Sequence, residues 1–303
     1  MHNSDANDTV ELPACTRNAG ADRSFSASAR VEVAGLSHPG KVRPNNEDHF
    51  LICRFGRFLE TLQTNIPEGE IPKLADEIGY GILVADGVGG GAAGEVASKL
   101  AISTLVHLVL QTPDWFLRVE QDAWMQEVMR RTTERFEQVN AALTEQARTD
   151  PELRGFATTL TLVGSLGRQL LVAHVGDSRA YQMRNGQLRL LTRDHTMAQA
   201  LAQAGLIPPE QLATHRMRHV LLKALGDPTR QVEPDVHEHT LEEGDCLLVC
   251  SDGLTDMVDE KLIAKILASG ELAKQICEHL VDEALRAGGK DNVTTVFARY
   301  SFD

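Results

Sequence analysis

Carboxylates stand at the ends of short apolar runs at several places in this chain, a placement that is costly unless something answers the charge. Ile82-Leu83-Val84-Ala85 ends in Asp86 and breaks at once into glycine at Gly87, Gly89, Gly90 and Gly91. Leu170 to Gly176 runs into Asp177, Cys246 to Ser251 runs into Asp252-Gly253, and Asp291 precedes Asn292 and the alternating run Val293 to Ala298. Glu47-Asp48 sits just ahead of His49-Phe50-Leu51-Ile52-Cys53. A β-branched run too short for a lone helix, followed by glycines and then a helical pattern, reads as strand, tight turn and helix. Asp-Gly is also ordinary turn chemistry, so any one of these carboxylates taken alone can be a loop residue. Their repetition is harder to explain that way. Bare carboxylates converging at strand mouths repel one another, which implies divalent cations with oxygen ligands. Asp86 has no Lys or Arg following it before Lys99, so a metal ion is the partner to test.

The elements that must position these groups follow from periodicity. Residues 1–27 are polar, rich in Asn, Asp and Ser, and read as a flexible extension ahead of one folded domain spanning 28–303. An alternating strand is expected from Ser28 to Ala34, and another from His49. Residues 55–79 read as an excursion, with helical spacing in Phe58, Leu59 and Leu62 and turn signals around Pro67 and Pro72; partner contact, a lid and a bland surface loop all fit it. Glu95 to Gln111 and Trp115 to Ala147 carry apolar stripes at helical spacing and should cover one face of a sheet. Short strands are expected at Thr158 to Val163, Gln169 to Val175, Arg179 to Met183 and Leu188 to Leu191, with a hairpin turn at Arg184-Asn185-Gly186-Gln187. Residues 194–235 interrupt this pattern with two short helical starts and the basic stretch His215, Arg216, Arg218 and His219. Strands near Val236 to His239 and Cys246 to Cys250 come next, then helices from Glu260 to Leu267 and Leu272 to Ala287 and the final strand. The pattern implies an α+β fold of two packed sheets between helical layers.

Of the 303 residues 42% are hydrophobic and 24% charged, which suits a folded catalytic domain. No stretch reads as long and apolar enough to cross a membrane, and the opening Met1-His2-Asn3-Ser4-Asp5 lacks a secretory signal, so the cytoplasm is the expected location. A net charge of −13 argues against a nucleic-acid partner. The five cysteines, at 15, 53, 246, 250 and 277, have no metal or disulfide spacing and read as reduced, small hydrophobes.

Eight stretches, in order, resemble the metal-dependent protein serine/threonine phosphatases of the PPM or PP2C family, bacterial single-domain type. They are GKVRPNNEDHF (40–50), VADGVGGGAAGEVAS (84–98), GFATTLT (155–161), AHVGDSRAY (173–181), LTRDHT (191–196), LLKALG (221–226), LLVCSDGLTD (247–256) and GGKDNVTTV (288–296). The resemblance implies a four-layer α-β-β-α sandwich with two central, mostly antiparallel sheets. It also implies hydrolysis of phosphoserine and phosphothreonine in proteins by water activated at a dinuclear manganese or magnesium centre. By resemblance Asp86 bridges two ions, Gly87 gives one its backbone carbonyl, and Asp252 and Asp291 hold the other. Glu47 and Asp48 resemble outer carboxylates that orient bound waters. Arg43 resembles the arginine that clamps phosphate. Asp177 with Asp252 resembles a third, weaker ion site, although Asp177 read without the family can equally bond its own turn and pair with Arg179. Residues 194–235 resemble a mobile flap beside the cleft, a solvated basic loop being the alternative. The implied partners are phosphorylated proteins, substrates of bacterial Ser/Thr kinases, and a monomer suffices because every proposed ligand lies in one chain.

Two positions depart from the family. Val88 stands where some members place a proton-donating histidine, and Gly91 where many bacterial members carry histidine. Other readings weigh less. Gly87 to Ala92 matches a dinucleotide fingerprint, but Asp86 would lie against the pyrophosphate. Cys250 is followed by no glycine-rich phosphate cradle. A catalytically silent member serving as a binding or regulatory domain is the remaining alternative, opposed by the retention of Asp86, Asp252 and Asp291.

Overall fold

Each central strand alternates between two apolar destinations, and this alternation builds the layers. In the computed structural model, which describes residues 29–67, 74–89, 92–112, 121–227 and 232–302, one sheet has the order β1-β11-β10-β7-β8. These are Ala29–His38, Val293–Phe302, Cys246–Cys250, Arg179–Arg184 and Gln187–Leu190. The other has the order β2-β3-β5-β6-β9, formed by Asp48–Glu60, Leu74–Val88, Leu160–Leu166, Gln169–Val175 and Asp235–Thr240, with the short β4 (Ala157–Thr158) paired to the end of β3. Every strand pairing among the described residues is antiparallel.

Ile82 and Val84 of β3 face the seam between the sheets, where they meet Leu247, Val249, Val296 and Ala298. Leu83 and Ala85, one residue out of phase, pack instead with helices α1 (Ala92–Gln111) and α2 (Gln121–Thr149). On the other side Leu248, Cys250 and Phe297 pack with α5 (Glu260–Leu267) and α6 (Ala273–Arg286). A period of two with both faces buried yields runs that are apolar throughout, and the outcome is the α-β-β-α order implied by the resemblance. Between β7 and β8, Asn185 and Gly186 take the positive φ values of 51° and 76° that a tight two-residue hairpin needs.

Two expectations are corrected. The helical spacing at Phe58 and Leu59 does not produce a helix: β2 continues to Glu60 and pairs with β3 in unbroken register from Asp48↔Asp86 to Glu60↔Leu74. Extending an existing ladder adds bonds residue by residue, whereas three apolar positions cannot offset the nucleation of a new helix. Residues 68–73 of that excursion, the 1–27 extension, Gly90 and Gly91, Trp115 and residues 228–231 of the flap lie outside the described residues. Second, Ala93–Gln111 of α1 does meet the length and composition of a membrane span. A third of that window is buried, its inward face supplying Ala97, Ala101, Ile102 and Leu105 to the core beneath α2.

The flap region contains α3 (Met197–Gln203), capped by the Thr196 hydroxyl, which accepts from the Gln199 N–H, and a 3-10 turn at Pro209–Thr214. Its return strand is sewn back onto its start: the Met197 N–H donates to Val220 O at 2.8 Å and the Leu222 N–H to His195 O at 2.7 Å.

Phe136 of α2 is wholly buried among α1, α2 and sheet two. Phe136→Ala should cost about 3–5 kcal/mol, read as a lower urea midpoint with unchanged slope; a midpoint within error of the parent would show that α2 is not integral to the core.

Candidate metal centre

The register of the β2–β3 hairpin sets Asp48 directly opposite Asp86 at one end of sheet two. The backbone of Asp86 is held on both sides. Its N–H donates to Thr159 Oγ1 at 2.9 Å, and its carbonyl accepts from the Thr159 N–H and the Thr158 hydroxyl, both at 2.9 Å. Thr158 and Thr159 therefore brace the strand end, as their β-forming chemistry suggests. A Cβ on Gly87 would lie 2.1 Å from Gly94 O, so only glycine lets the turn fold back on α1.

Sheet one brings the remaining groups. Ser251 follows β10; its N–H donates to Thr294 O at 3.1 Å and its Oγ accepts from the Thr294 N–H at 3.0 Å. The same hydroxyl donates across the seam to Asp48 Oδ2 at 2.7 Å. Asp252 then opens the short helix α4 (Asp252–Thr255), which lies so close to β11 that a Cβ on Gly253 would sit 1.9 Å from Asn292 O. Asn292 ties the loops together. Its Oδ1 accepts from the Glu47 N–H at 2.7 Å, while its Nδ2 donates to Pro39 O and Asn45 O at 3.0 and 2.8 Å. Arg43 Nη2 donates to Asp291 Oδ2 at 2.7 Å.

Glu47, Asp48, Asp86, Asp252, Asp291 and Arg43 are thus gathered at one end of the seam. Their electrostatics record the crowding. Burial pushes the Asp48 carboxyl up to about 7 against the hydrogen bond from Ser251, with the charges of Asp252 and Asp291 adding to the rise. Asp86 is driven well above the carboxylate range by burial and then by Asp48, Asp252, Asp177 and Asp291. Burial also raises Glu47. Asp48 Oδ1 is buried with no hydrogen-bond partner among the described residues. An orphaned carboxylate oxygen amid hard, mutually repelling oxygen donors fits a divalent cation with its bound waters.

Asp177 is only 8% exposed, and burial followed by the charges of Asp252 and Asp194 raises it. Arg179 does not pair with it as the turn reading supposed: its fork closes on Asp194, Nε to Oδ1 at 2.9 Å and Nη2 to Oδ2 at 2.6 Å. His174 and His195 are core residues, stacked with centroids 4.9 Å apart. His174 Nδ1 meets Thr161 Oγ1 and burial lowers it to about 3.

Sequence reasoning missed Ser251, Asn292 and Asp256. Each adjoins or follows a carboxylate motif, but their partners lie across the fold. The flap histidine His219 also lands unexpectedly near the centre, Nδ1 3.5 Å from Asp252 Oδ2 and Nε2 3.2 Å from Asp256 Oδ2.

A family model for protein phosphatase 2C matches residues 74–287. The chain belongs to the protein phosphatase 2C family. It is 39% identical over 217 residues to the serine/threonine protein phosphatase PstP of Mycobacterium tuberculosis, covering 72% of this chain but only 40% of that protein's length. The protein phosphatase PhpP of Streptococcus pneumoniae is 30% identical over 274 residues, covering 87% of this chain and 95% of PhpP. Among solved structures, the catalytic domain of a serine/threonine protein phosphatase PstP in complex with two manganese ions superimposes with a TM-score of 0.68 at 32% identity, covering 90% of this chain and all of that one.

The raised carboxyls give a pH signature in the chelated protein. Asp48 has an unfolded value near 3.9 and a folded value of about 7, so the folded state binds more protons between them. Its contribution is fully present below pH ~4 and is lost as pH rises through ~7. Buried neutral His174 works in the opposite direction below about pH 6.5. The difference between wild type and Asp48→Asn isolates the carboxyl: wild type should lose more thermal stability than the variant from pH 4 to pH 8, and manganese should restore it. Parallel melting curves for the two chelated proteins across that range would contradict the crowded-carboxylate description.

Proposed function

We propose that this chain hydrolyses phosphoserine and phosphothreonine in proteins, the reading carried by the convergence of Asp48, Asp86, Asp177, Asp252 and Asp291 on one end of the seam. Asp86, the Gly87 carbonyl, Asp252 and Asp291 would hold two manganese or magnesium ions, as two manganese ions are held in the solved PstP catalytic domain. Bound there, such ions acidify water and neutralise phosphoryl oxygens. The protein's own contribution is placement. Thr158 and Thr159 keep the Asp86 backbone from shifting, Ser251 fixes one oxygen of Asp48, and the other is left to accept from a water. Arg43, anchored on Asp291 and otherwise exposed, presents a planar fork to the phosphate dianion. In the reaction a water oxygen bonds to phosphorus as the bond to the serine or threonine oxygen breaks, and the leaving oxygen takes up a proton. Val88, without a proton to give, cannot supply it, so that proton comes from water or another group.

Asp177 with Asp252 forms the weaker third position in this reading. Cytoplasmic phosphoproteins made by bacterial Ser/Thr kinases are the proposed substrates, acted on by a monomer. A silent binding domain is disfavoured, because such a role gives no reason to keep repelling buried carboxylates.

The experiment is metal-dependent turnover of an aryl phosphate and of a phosphopeptide, abolished by chelator and restored by manganese. Asp252→Asn and Asp291→Asn should each lose most activity while keeping a cooperative melt, and calorimetry should show weakened manganese binding. Unchanged manganese affinity in both would defeat the ligand assignment.

Arg43→Ala should raise KM with the two manganese equivalents still bound, and Arg43→Lys should recover only part of the loss because it lacks the bidentate fork. Parent kinetics in Arg43→Ala across a series of phosphate esters would remove Arg43 from the site.

A further inference from the structure

One histidine grips the turn that carries Asp177 from two directions. The Gly176 N–H donates to His195 Nδ1 at 3.1 Å, and the His195 N–H donates back to Gly176 O at 2.6 Å. His174 Nε2, on a ring stacked against His195, meets the same carbonyl at 3.0 Å. The turn is pressed against Thr159, since a Cβ on Gly176 would lie 2.4 Å from Thr159 Cγ2. Thr159 Oγ1 in turn meets Ser178 Oγ at 2.8 Å and accepts from the Asp86 N–H at 2.9 Å. A displacement of Gly176 therefore moves Asp177 directly and disturbs the hydroxyl that holds Asp86. On its other side His195 faces the flap. Its carbonyl accepts from the Leu222 N–H at 2.7 Å, and its buried Nε2 stands 3.2 Å from Asp235 Oδ2, off the line of a straight hydrogen bond. Asp235 is met as well by Lys223 Nζ at Oδ1 and by Arg193 Nη2 at Oδ2, each at 3.1 Å. A neighbouring carboxylate favours the ring proton at Nε2, which leaves Nδ1 its lone pair for Gly176.

We propose that His195 is a positioning residue for the metal centre: its Nδ1 fixes Gly176, and with it the placement of Asp177 and, through Thr159, of Asp86, while Asp235 keeps the ring in the tautomer this needs. The inference rests on the proposed reading for its effect on turnover and on the hydrogen-bond geometry alone for its effect on the turn. The same residue carries the flap's return strand on its carbonyl, so the flap and the metal-side turn share one anchor. Side-chain shape separates this role from packing. Asparagine puts an acceptor where Nδ1 stands but cannot reach Asp235, whereas glutamine reaches towards Asp235 and has no acceptor at the Nδ1 position. Glutamine is nearer to histidine in size. If His195 only filled space, glutamine would be the better replacement; a positioning role through Gly176 reverses the order.

The test uses the full chain. In the wild type, imidazole nitrogen spectra should show the His195 proton on Nε2, and a scalar coupling should cross the hydrogen bond between the Gly176 nitrogen and Nδ1; a ring protonated at Nδ1, or no coupling, would overturn the proposal without any variant. In His195→Gln the Gly176 and Asp86 amides should exchange with solvent faster than in His195→Asn by about tenfold, as the loss of one hydrogen bond implies, with a cooperative melt in both. At saturating manganese, kcat on a phosphopeptide should fall in His195→Gln by roughly 10–100-fold, the usual cost of losing a group that orients metal ligands, with KM little changed, and His195→Asn should recover part of that loss. Exchange protection in His195→Gln equal to or better than in His195→Asn would reduce His195 to a packing residue. Parent kcat in His195→Gln would overturn the positioning role and leave the phosphatase reading standing. Absence of metal-dependent turnover in the wild type would instead count against the phosphatase reading, and the coupling and exchange measurements would still decide what His195 does to the turn.

Discussion

The hydrogen bond from Ser251 to Asp48 joins the two sheets at the place where the molecule is electrostatically least comfortable. Its partners are 203 residues apart in sequence. It holds Asp48 and Asp86 at the end of sheet two against Asp252 and Asp291 of sheet one, alongside the bonds from Asn292 to Glu47 and Asn45. Withdrawing ionised carboxylates from water costs several kcal/mol each. The arrangement persists because it sits on a seam of Ile82, Val84, Val249, Val296 and Ala298, whose burial opposes any opening that would let the carboxylates separate. The centre is thus a crowded end of a well-packed interface, whose repulsion Arg43 at Asp291 and His219 at Asp252 only partly offset and, in the proposed reading, divalent cations answer.

Backbone bracing is what makes that crowding directional. Thr158 and Thr159 saturate the peptide groups of Asp86, and Asn292 gathers Pro39, Asn45 and Glu47. With the Asp86 peptide groups satisfied, the carboxylates cannot escape repulsion by moving the backbone, and their oxygens, joined in the proposed reading by the Gly87 carbonyl, are left to meet a cation. Neutral hydroxyls and amides suit this bracing, since charged ones would enter the same electrostatic balance that cations must win.

Much of this was legible in the sequence because each carboxylate directly follows or precedes an apolar run. The period-two pattern placed β5, β6, β7 and β10, and the helices α5 and α6, within a few residues of where they lie. What stayed hidden depends on contacts between distant segments. Ser251 resembles any residue before Asp-Gly until Asp48 arrives from the other sheet. Phe58 and Leu59 carry helical spacing, yet the ladder with β3 outcompetes it, a tertiary override that no local window contains. Arg179 next to Asp177 invited a local pair, and the fold instead gave its fork to Asp194, fifteen positions on.

The Arg43–Asp291 pair illustrates how exposure turns a structural contact into a functional one. Both side chains are substantially exposed, 56% and 39%, so the pair contributes little stability, about 0–1 kcal/mol. A contact that weak does not commit the guanidinium. In the proposed reading a cation at Asp291 removes the negative charge that holds Arg43, leaving the fork to seek another dianion at the mouth of the site. Cation and phosphate then do not compete for the same protein charge; occupation of the centre by the first frees the clamp for the second. The same logic fails for the partly buried, bidentate Arg179–Asp194 pair, whose release would leave a largely desolvated charge without its partner, and that pair accordingly belongs to the scaffold.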